Sequence, residues 1–185
     1  QTLTDDNGSF PTSYIATTVE AFKHIISTGQ TNSYDNNGTL ISDGSIKDDG
    51  YYAKGSSKSF TRDNVNNIVF DNTNGLIWED TINTKSTVGS WNSAETYCNG
   101  LTIGSYSNWR LPTIREWLNI VDRSKYQPVI DSTYFQNNVI DKSYWSGTAD
   151  ASDTTKIWLI SIRYGSVFPI SKSDDTRYVR CVHDK

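Results

Sequence analysis

Histidine, cysteine, methionine and proline are scarce in this chain. Its 185 residues include two histidines, two cysteines, four prolines and no methionine. The histidines, His24 and His183, lie in unrelated parts of the sequence, and neither belongs to a Cys/His or Ser/His/Asp motif. Walker loops, dinucleotide fingerprints and zinc-ligand spacings are also absent from the sequence. These absences predict a protein that is not an enzyme.

Long apolar runs and basic tracts are missing too. The mean hydropathy is -0.58, and no run approaches the roughly 20 apolar residues that a membrane-spanning helix needs. Residues 1–99 carry 6 basic and 12 acidic groups, whereas residues 100–185 carry 11 basic and 9 acidic groups, for a net charge of -4. We therefore expect no membrane span and no nucleic-acid partner.

The polar N-terminal third differs from the rest of the chain. Residues 1–60 are rich in Thr, Ser, Asn, Asp and Gly, and only Tyr14 to Ile26 has enough apolar residues to form a helix or a strand. We expect an arm or packed extension over residues 1–27 and a domain with one buried core over residues 28–185. Because position 1 is not methionine, we expect Gln1 to be a mature terminus or a fragment boundary.

A hairpin and a helix follow the polar third. Residues 68–70 and 76–78 are apolar and flank a turn that contains Gly75, which predicts two paired strands. Ser90 is the expected N-cap of the helix, and Gly104 marks the expected stop region. The apolar stripe of this helix consists of Trp91, Ala94, Cys98 and Leu101.

The second predicted helix and the C-terminal strands are separated by a long segment. Thr113 and Glu116 match a capping box. The apolar face expected behind it is Ile114, Trp117, Leu118 and Val121. Residues 122–156 lack periodicity and predict long loops, which often carry function. The predicted strands are residues 157–162, 167–170 and 177–182.

The two cysteines, Cys98 and Cys181, are the only ones in the sequence. A disulfide between them would join the first helix to the last strand, and it would require an oxidising compartment. The chain-entropy model assigns a loop of this size roughly 4.5 kcal/mol of stabilisation. The alternative is a pair of buried, unpaired thiols in a cytosolic protein.

Several motifs in fixed order resemble one bacterial family, which includes the C-terminal domain of the collagen-like adhesin Lcl. They are Gly75-Leu76-Ile77-Trp78, Trp91 with Ala94 and Tyr97-Cys98, Trp109-Arg110-Leu111-Pro112-Thr113 with Glu116, Tyr144-Trp145-Ser146, and Val179-Arg180-Cys181-Val182. Thr28-Gly29-Gln30-Thr31 and Phe60-Thr61 extend the resemblance to about residues 28–183. It implies a secreted or cell-surface bacterial domain with a role in adhesion and glycan binding.

The order of elements also resembles the C-type-lectin-like fold. This resemblance implies an α+β domain with two helices packed on a twisted antiparallel β-meander, long loops, and a disulfide from a helix to the last strand. The same fold includes formylglycine-generating enzymes, to which Arg110-Leu111-Pro112-Thr113 and Glu116-Trp117 are similar. That chemistry uses two redox-active cysteines, whereas a structural disulfide explains both cysteines of this chain better.

A glycan site would need exposed aromatic rings and a few polar groups. Tyr144, Trp145 and Tyr164 lie near predicted loops and are the candidate rings, although Trp145 fits a place in the core equally well. The candidate cationic rim consists of Lys156, Arg163, Lys172 and Arg177.

Calcium is the candidate ion, because loop carboxylates supply the oxygen ligands that it takes. Calcium-dependent lectins of this fold use Glu-Pro-Asn or Gln-Pro-Asp, whereas this chain has Gln127-Pro128-Val129 and no Trp-Asn-Asp. The acidic groups that remain are Asp35, Asp43, Asp48 and Asp49 in the N-terminal loops and Asp150, Asp153, Asp174 and Asp175 in the C-terminal loops, the second group being the candidate metal site. Solvated turn residues are the alternative explanation for both groups.

Two functions from different classes follow. The first is a non-enzymatic extracellular module of a bacterial surface protein, which recognises a glycan, a matrix polymer or a host or cell-surface protein through residues 122–156 and 163–177. The second is a structural subunit that assembles with copies of itself into an oligomer or filament, with residues 1–27 as a connecting arm.

Overall fold

The computed structural model describes residues 26–52 and 54–185. The element expected within Tyr14 to Ile26 lies outside these residues except for Ile26. The described chain is a mixed α+β protein, as predicted. Its helices are α1 (Asp49–Tyr52), α2 (Trp91–Asn99) and α3 (Ile114–Ile120), with a 3-10 helix at Ile82–Lys85. Its strands are β1 (Ser33–Tyr34), β2 (Leu40–Ile41), β3 (Phe60–Asp63), β4 (Ile68–Asp71), β5 (Leu76–Glu79), β6 (Val88–Gly89), β7 (Ser143–Ala149), β8 (Lys156–Ser161), β9 (Val167–Ser171), β10 (Arg177–Tyr178) and β11 (Val182–Asp184).

One sheet has four antiparallel strands in the order β11-β5-β4-β3. The predicted hairpin is confirmed as β4 and β5, with Val69 opposite Trp78. Gly75 ends its turn with φ at 70°, a conformation that glycine adopts without steric cost. The last strand, β11, pairs with β5 and forms one edge of this sheet.

The second large sheet has five strands in the order β6-β10-β7-β8-β9. The prediction of an antiparallel meander is wrong at one place, because β10 runs parallel to β7. The single strand expected over residues 177–182 is instead divided between the two sheets as β10 and β11. Residues 122–156 are also not all loop, since β7 lies within them and pairs with β8.

Both predicted helices form with the expected N-caps. The Ser90 side chain accepts a hydrogen bond from the Ser93 N–H, and Thr113 and Glu116 form the complete capping box. The predicted end of α2 is wrong, because the helix ends at Asn99, before Gly104. The apolar face of α3 also differs from the prediction. Leu118 is 37% exposed, whereas Ile120 is buried, and Val121 caps the helix.

Two hydrophobic clusters form the core. One contains Trp78 and Trp117, whose ring centroids lie 5.1 Å apart, and the other contains Trp109 and Trp145. Neighbouring residues of β8 alternate between the clusters, with Leu159 in the second and Ile160 in the first. Both faces of this strand are therefore buried.

The predicted disulfide between Cys98 and Cys181 is confirmed, with the two Cα atoms 5.5 Å apart. It joins α2 to the segment between β10 and β11. The same segment is held to β5, because the Glu79 N–H donates to the Cys181 carbonyl oxygen at 2.9 Å. The disulfide thus fastens a helix to the crossover between the two sheets.

A buried ionic network orders the loop before β7. Asp80 and Arg180 are both fully buried and form an ion pair at 3.0 Å, and Arg62 pairs with the same carboxylate. The Gln136 N–H donates to Asp80 at 2.8 Å, and the Arg180 guanidinium donates to the Asn137 carbonyl oxygen at 2.6 Å. Moving the loop would break these bonds and leave the buried charges of Asp80 and Arg180 less compensated, so the network stabilises the loop in this conformation.

Candidate functional site

Two of the three candidate aromatic rings lie in the core. Tyr144 and Trp145 are both 0% exposed. The Trp145 Nε1–H donates to the Gly89 carbonyl oxygen at 2.8 Å, and the Tyr144 hydroxyl accepts from the Val139 N–H at 2.9 Å. Neither ring can stack on a ligand in this arrangement. The interpretation of Tyr144 and Trp145 as a ligand platform is therefore wrong, because β7 is covered on both faces.

Three of the four candidate cations pair with nearby carboxylates. Lys156 lies 3.2 Å from Asp153, and Arg177 lies 3.0 Å from Asp174. Arg163 pairs with Asp141. These carboxylates offset the positive charge, so the expected cationic rim is close to neutral.

Lys172 differs from the other three cations. Its Nζ lies 4.9 Å from the ring centroid of Trp91, and its carbonyl oxygen accepts from the Trp91 N–H at 3.1 Å. The lysine therefore covers a tryptophan on α2. This contact places Lys172 beside α2.

The candidate metal ligands are used in local turns. Asp150 accepts from the Ser152 N–H at 3.0 Å, and Asp153 accepts from the Thr155 N–H at 3.1 Å. Asp174 accepts from the Thr176 N–H at 3.0 Å. The fourth candidate ligand, Asp175, is the residue that follows Asp174 in the sequence. Across residues 26–52 and 54–185, no three His, Cys, Asp or Glu side chains converge in a way that could hold a metal ion. The geometry favours the turn explanation over the candidate calcium site at Asp150, Asp153, Asp174 and Asp175.

Hydrogen bonds within these turns also act on the acidity of the carboxyl groups. The Thr155 hydroxyl, Lys156 and the Thr155 N–H stabilise the charged form of Asp153 and lower its pKa. For Asp174, burial opposes ionisation, but bonds from Thr176 and Arg177 prevail and the pKa is lowered. Both groups remain carboxylates through the physiological range.

The third candidate ring, Tyr164, is exposed and has an aromatic neighbour. Tyr164 is 50% exposed and Tyr126 is 70% exposed. Their ring centroids lie 5.8 Å apart with an interplanar angle of 44°. Two tyrosine rings therefore stand side by side on the surface, where they present apolar faces and hydroxyl groups together.

Backbone hydrogen bonds bring these two tyrosines together. Tyr164 lies in the turn between β8 and β9, and Tyr126 lies in the loop after α3. The Gln127 N–H donates to the Arg163 carbonyl oxygen at 3.3 Å, and the Val129 N–H donates to the Ile162 carbonyl oxygen at 2.9 Å. The loop is thus attached to the end of β8.

The turn that carries Tyr164 depends on Gly165. Its φ is 69°, and its N–H donates to the Ser161 carbonyl oxygen at 2.8 Å. A Cβ at this position would lie 3.2 Å from a methyl carbon of Val121 and 3.4 Å from one of Val129. Glycine is needed both for the backbone conformation and for the close approach of the loop.

Polar groups surround the two rings. The Arg163 guanidinium lies 5.1 Å from the ring centroid of Tyr164. With its amide oriented to satisfy its neighbours, Gln127 accepts from the Arg163 Nε–H at 3.1 Å and from the Tyr126 hydroxyl at 2.9 Å. We call Tyr126, Gln127, Arg163 and Tyr164 the tyrosine surface. It combines exposed rings with donors and acceptors whose positions are fixed by one another.

Sequence reasoning identified Tyr164 and Arg163 but missed Tyr126. Tyr126 lies within the predicted loops 122–156, immediately before Gln127. Its proximity to Tyr164 depends on pairing between distant segments, which no local pattern reveals. The one available signal was a large aromatic residue between Lys125 and Gln127 in a segment without apolar periodicity.

The family model described as the Lcl C-terminal domain matches residues 67–183, which include the tyrosine surface and both cysteines. No curated protein matches the chain. In the part of the chain that the structure describes, no helix is long and apolar enough to span a membrane.

Proposed function

Because the chain belongs to the Lcl C-terminal domain family, we propose that it is a non-enzymatic binding module of an adhesion-related bacterial surface protein. Family membership suggests the adhesion-related role and a location at the cell surface. We propose that the module recognises a glycan or a matrix polymer, or a protein that carries one, through the tyrosine surface.

The observation that carries this proposal is the exposed pair Tyr126 and Tyr164. Two rings at 70% and 50% exposure, 5.8 Å apart, form an exposed aromatic surface within the residues that the family model matches. Aromatic faces attract the C–H groups of a sugar ring, and tyrosine adds a hydroxyl that hydrogen-bonds to the ligand. Tyrosines also lose little conformational entropy when they bind, because they have only two side-chain torsions.

The polar groups of the tyrosine surface supply orientation. Arg163 contributes donors, and Gln127 holds its guanidinium through the Nε–H. A side chain held before binding loses less entropy when the ligand arrives. The pairing of Arg163 with Asp141 also reduces its attraction for a polyanion. We therefore propose recognition by shape and hydrogen bonding more than by charge.

Secretion and the C-type-lectin-like fold belong to the same proposal. The disulfide between Cys98 and Cys181 suits an oxidising compartment. The proposal of this fold is supported by two helices that pack against mostly antiparallel strands and by the disulfide from α2 to the crossover before the last strand.

The contacts of the two cysteines and of His183 support the proposal that the module is not an enzyme. Both cysteines are buried in the disulfide. His183 packs against Tyr106 and Trp109 in T-shaped arrangements, with ring centroids 5.4 Å and 5.5 Å apart. Redox chemistry by a cysteine pair, as in the formylglycine-generating enzymes, would require those cysteines to be accessible to a substrate.

One possible route for the alternative of self-assembly, pairing between the β9 edges of two copies, has little support. At the two ends of the ladder between β8 and β9, the Lys172 N–H donates to the Thr155 carbonyl oxygen and the Ser161 N–H donates to the Ser166 carbonyl oxygen. Because bonded and non-bonded pairs alternate in an antiparallel ladder, Pro169 opposite Trp158 is a non-bonded pair. Its nitrogen faces the outer edge of β9 and lacks a proton, so this edge is poorly suited to a further strand.

The test is a binding screen on glycan and matrix-polymer arrays with the full chain. Tyr126→Ala and Tyr164→Ala should each weaken a positive signal by about tenfold, which corresponds to roughly 1.4 kcal/mol of binding free energy. Tyr51→Ala is the matched control, because Tyr51 is 50% exposed and lies on α1. Loss of binding in the control but not in the two variants would contradict the proposal, and so would a wild-type chain that binds nothing on either array.

A further inference from the structure

A cleft of about 410 Å³ lies apart from the tyrosine surface. Its walls come from three parts of the chain: the segment at residues 27–29, the residues leading into β3, and the stretch from the end of α3 to Tyr134. None of the four residues of the tyrosine surface lines it. Its size falls within the range of pockets that hold small organic ligands.

Two aromatic rings form the apolar part of the cleft. Phe60 and Tyr134 have ring centroids 5.7 Å apart with an interplanar angle of 52°. Phe60 also packs against Phe135 at 5.3 Å, and Phe135 is fully buried. The rings are therefore attached to the core, and both line the cleft while remaining partly exposed.

Lys58 supplies the donor side of the cleft. Its ammonium has three N–H donors and gives one of them to the Ser27 carbonyl oxygen. Burial lowers the pKa of Lys58, while the charge of Asp122 opposes that change. An amino group held in this way can donate to an oxygen of a ligand in the cleft.

Asp122 and Asp131 supply the acceptor side. Asp122 Oδ1 accepts from the Ser124 N–H at 3.0 Å and from its hydroxyl at 2.7 Å. Asp131 accepts from the Thr133 N–H at 3.0 Å, and its other oxygen lies 2.9 Å from the Lys125 ammonium. Both carboxylates are thus fixed in place by the loop. A fixed carboxylate can accept hydrogen bonds from ligand hydroxyls through its remaining lone pairs.

The charged residues that line the cleft restrict the class of ligand that can bind there. One ammonium and two carboxylates line the cleft, and Lys125 pairs with one of those carboxylates, Asp131, so the cleft has no excess of positive charge to attract an anion. A sulfated or carboxylated sugar would meet like charge from Asp122 and Asp131, and like charges at short range disfavour binding. An uncharged polyol meets no such repulsion, because each hydroxyl can both donate to a carboxylate and accept from Lys58.

We propose that this cleft binds one neutral pyranose unit of a glycan, with a sugar face against Phe60 and Tyr134 and hydroxyl groups bonded to Lys58, Asp122 and Asp131. The proposal rests on the proposed glycan-binding function. It adds a second subsite and specifies an uncharged sugar for it. A polymer bound at the tyrosine surface and a sugar unit in the cleft are separable events, because the two sites share no residue.

The experiment is a titration of the ¹⁵N-labelled chain, followed by amide chemical shifts. The probes are glucose, galactose, mannose, fucose and N-acetylglucosamine, with glucuronate and galactose 6-sulfate as the charged probes. We expect at least one neutral sugar to give saturable shifts at cleft amides such as Gly29 and Ser59, and at least fivefold weaker binding of the charged probes. Shifts confined to the tyrosine surface, no saturable shift with any neutral sugar, or stronger binding of the charged probes would each overturn the proposal.

Variants test the assignment to the cleft. Ser57→Trp places a large side chain at the exposed rim and should abolish the shifts, and Lys58→Met should weaken binding at least fivefold. Lys142→Met is the matched control, because Lys142 is exposed and does not line the cleft. Tyr134→Phe keeps the ring and should retain binding, whereas Tyr134→Ser should lose it. Unchanged binding in Ser57→Trp with a native amide spectrum would also overturn the proposal.

The experiments distinguish failure of the cleft proposal from failure of the proposed function. If cleft variants keep polymer binding on the arrays but lose the monosaccharide, the two sites are independent, as proposed. If no monosaccharide binds while Tyr126→Ala and Tyr164→Ala still weaken polymer binding, the cleft proposal fails and the proposed function stands. If the wild-type chain retains no glycan or polymer on the arrays, the proposed function itself fails.

Discussion

The buried carboxylate of Glu79 accepts a hydrogen bond from the Cys181 N–H at 3.2 Å. The same carboxylate accepts from the Tyr97 hydroxyl at 2.6 Å, and Tyr97 lies on α2 one residue before Cys98. A buried acid and a disulfide therefore join the same two parts of the fold. The stability of that junction depends on pH as well as on the redox state.

Burial raises the pKa of Glu79 above its usual value of 4.5, although bonds from Tyr97, Thr81 and Cys181 oppose the rise. The folded chain thus holds this proton more tightly than the unfolded chain. The stability that the protonated Glu79 side chain contributes to the folded chain is fully present below pH 4.5. It is lost as the pH rises through the raised pKa of Glu79. We expect Glu79→Gln to gain stability relative to wild type as the pH rises from 4.5 to the raised pKa of Glu79, and the difference between the two proteins to be constant below and above that interval.

Urea unfolding of both proteins over about pH 4 to pH 8 measures this difference, and subtracting the two curves removes the carboxylates that they share. Glu79→Gln suits the site because the Thr81 and Tyr97 hydroxyls can turn to accept from the amide. A difference that is flat with pH, or that falls as the pH rises, would show that Glu79 is ionised in the folded chain without a penalty.

Removing the disulfide should destabilise the chain strongly. Cys98 and Cys181 are 83 positions apart, so their link restricts a large loop of the unfolded chain. Cys98→Ala with Cys181→Ala should lower the free energy of unfolding by roughly 2–5 kcal/mol, as removing a native disulfide typically does. Urea midpoints of this double variant and of the wild type, each with and without a reducing agent, measure the loss. A wild-type midpoint unchanged by full reduction would contradict a structural role for the disulfide.

The start of α3 should be sensitive to loss of its cap. The Glu116 N–H donates to the Thr113 hydroxyl at 3.2 Å, and the Thr113 N–H donates to the Glu116 carboxylate at 2.7 Å. Thr113→Ala should lower the free energy of unfolding by about 1 kcal/mol, because the Glu116 N–H at the helix start then loses its side-chain acceptor. Thr113→Ser keeps the hydroxyl and should stay close to wild type. Equal losses in the two variants would assign the effect to packing of the threonine methyl group instead.

We expect Pro169 to prevent the outer edge of β9 from pairing with a strand of another copy. Pro169→Thr adds an N–H to that edge and a residue that favours strands, so we expect association that increases with protein concentration. Light scattering measures the molar mass, and Ser171→Thr is the control because position 171 already has an N–H. A Pro169→Thr chain that stays at the wild-type mass would show that another feature protects this edge.

Local signals in the sequence predicted the local parts of the fold. The capping box of Thr113 and Glu116, the Ser90 cap and the hairpin around Gly75 each depend on residues a few positions apart, and all three are confirmed. The disulfide could be predicted because only two cysteines exist.

Long-range pairing explains what the sequence did not reveal. The segment after Tyr178 leaves one sheet and enters the other, and a continuous alternation of side chains over residues 177–182 gave no sign of it. Trp145 was ambiguous because its strand is buried on both faces, which removes the polar alternation that marks a surface strand. Tyr126 meets Tyr164 only through hydrogen bonds between distant loops.

The tyrosine surface is the central claim, and its most direct test is the binding of one array-positive glycan or matrix-polymer fragment to four chains. These are the wild type, Tyr126→Ala, Tyr164→Ala and the Tyr51→Ala control, each measured by calorimetry after a check of the folded amide spectrum. The account predicts that Kd rises about tenfold in each of the two surface variants and stays within about twofold in the control. A Kd that is unchanged in both surface variants would contradict it.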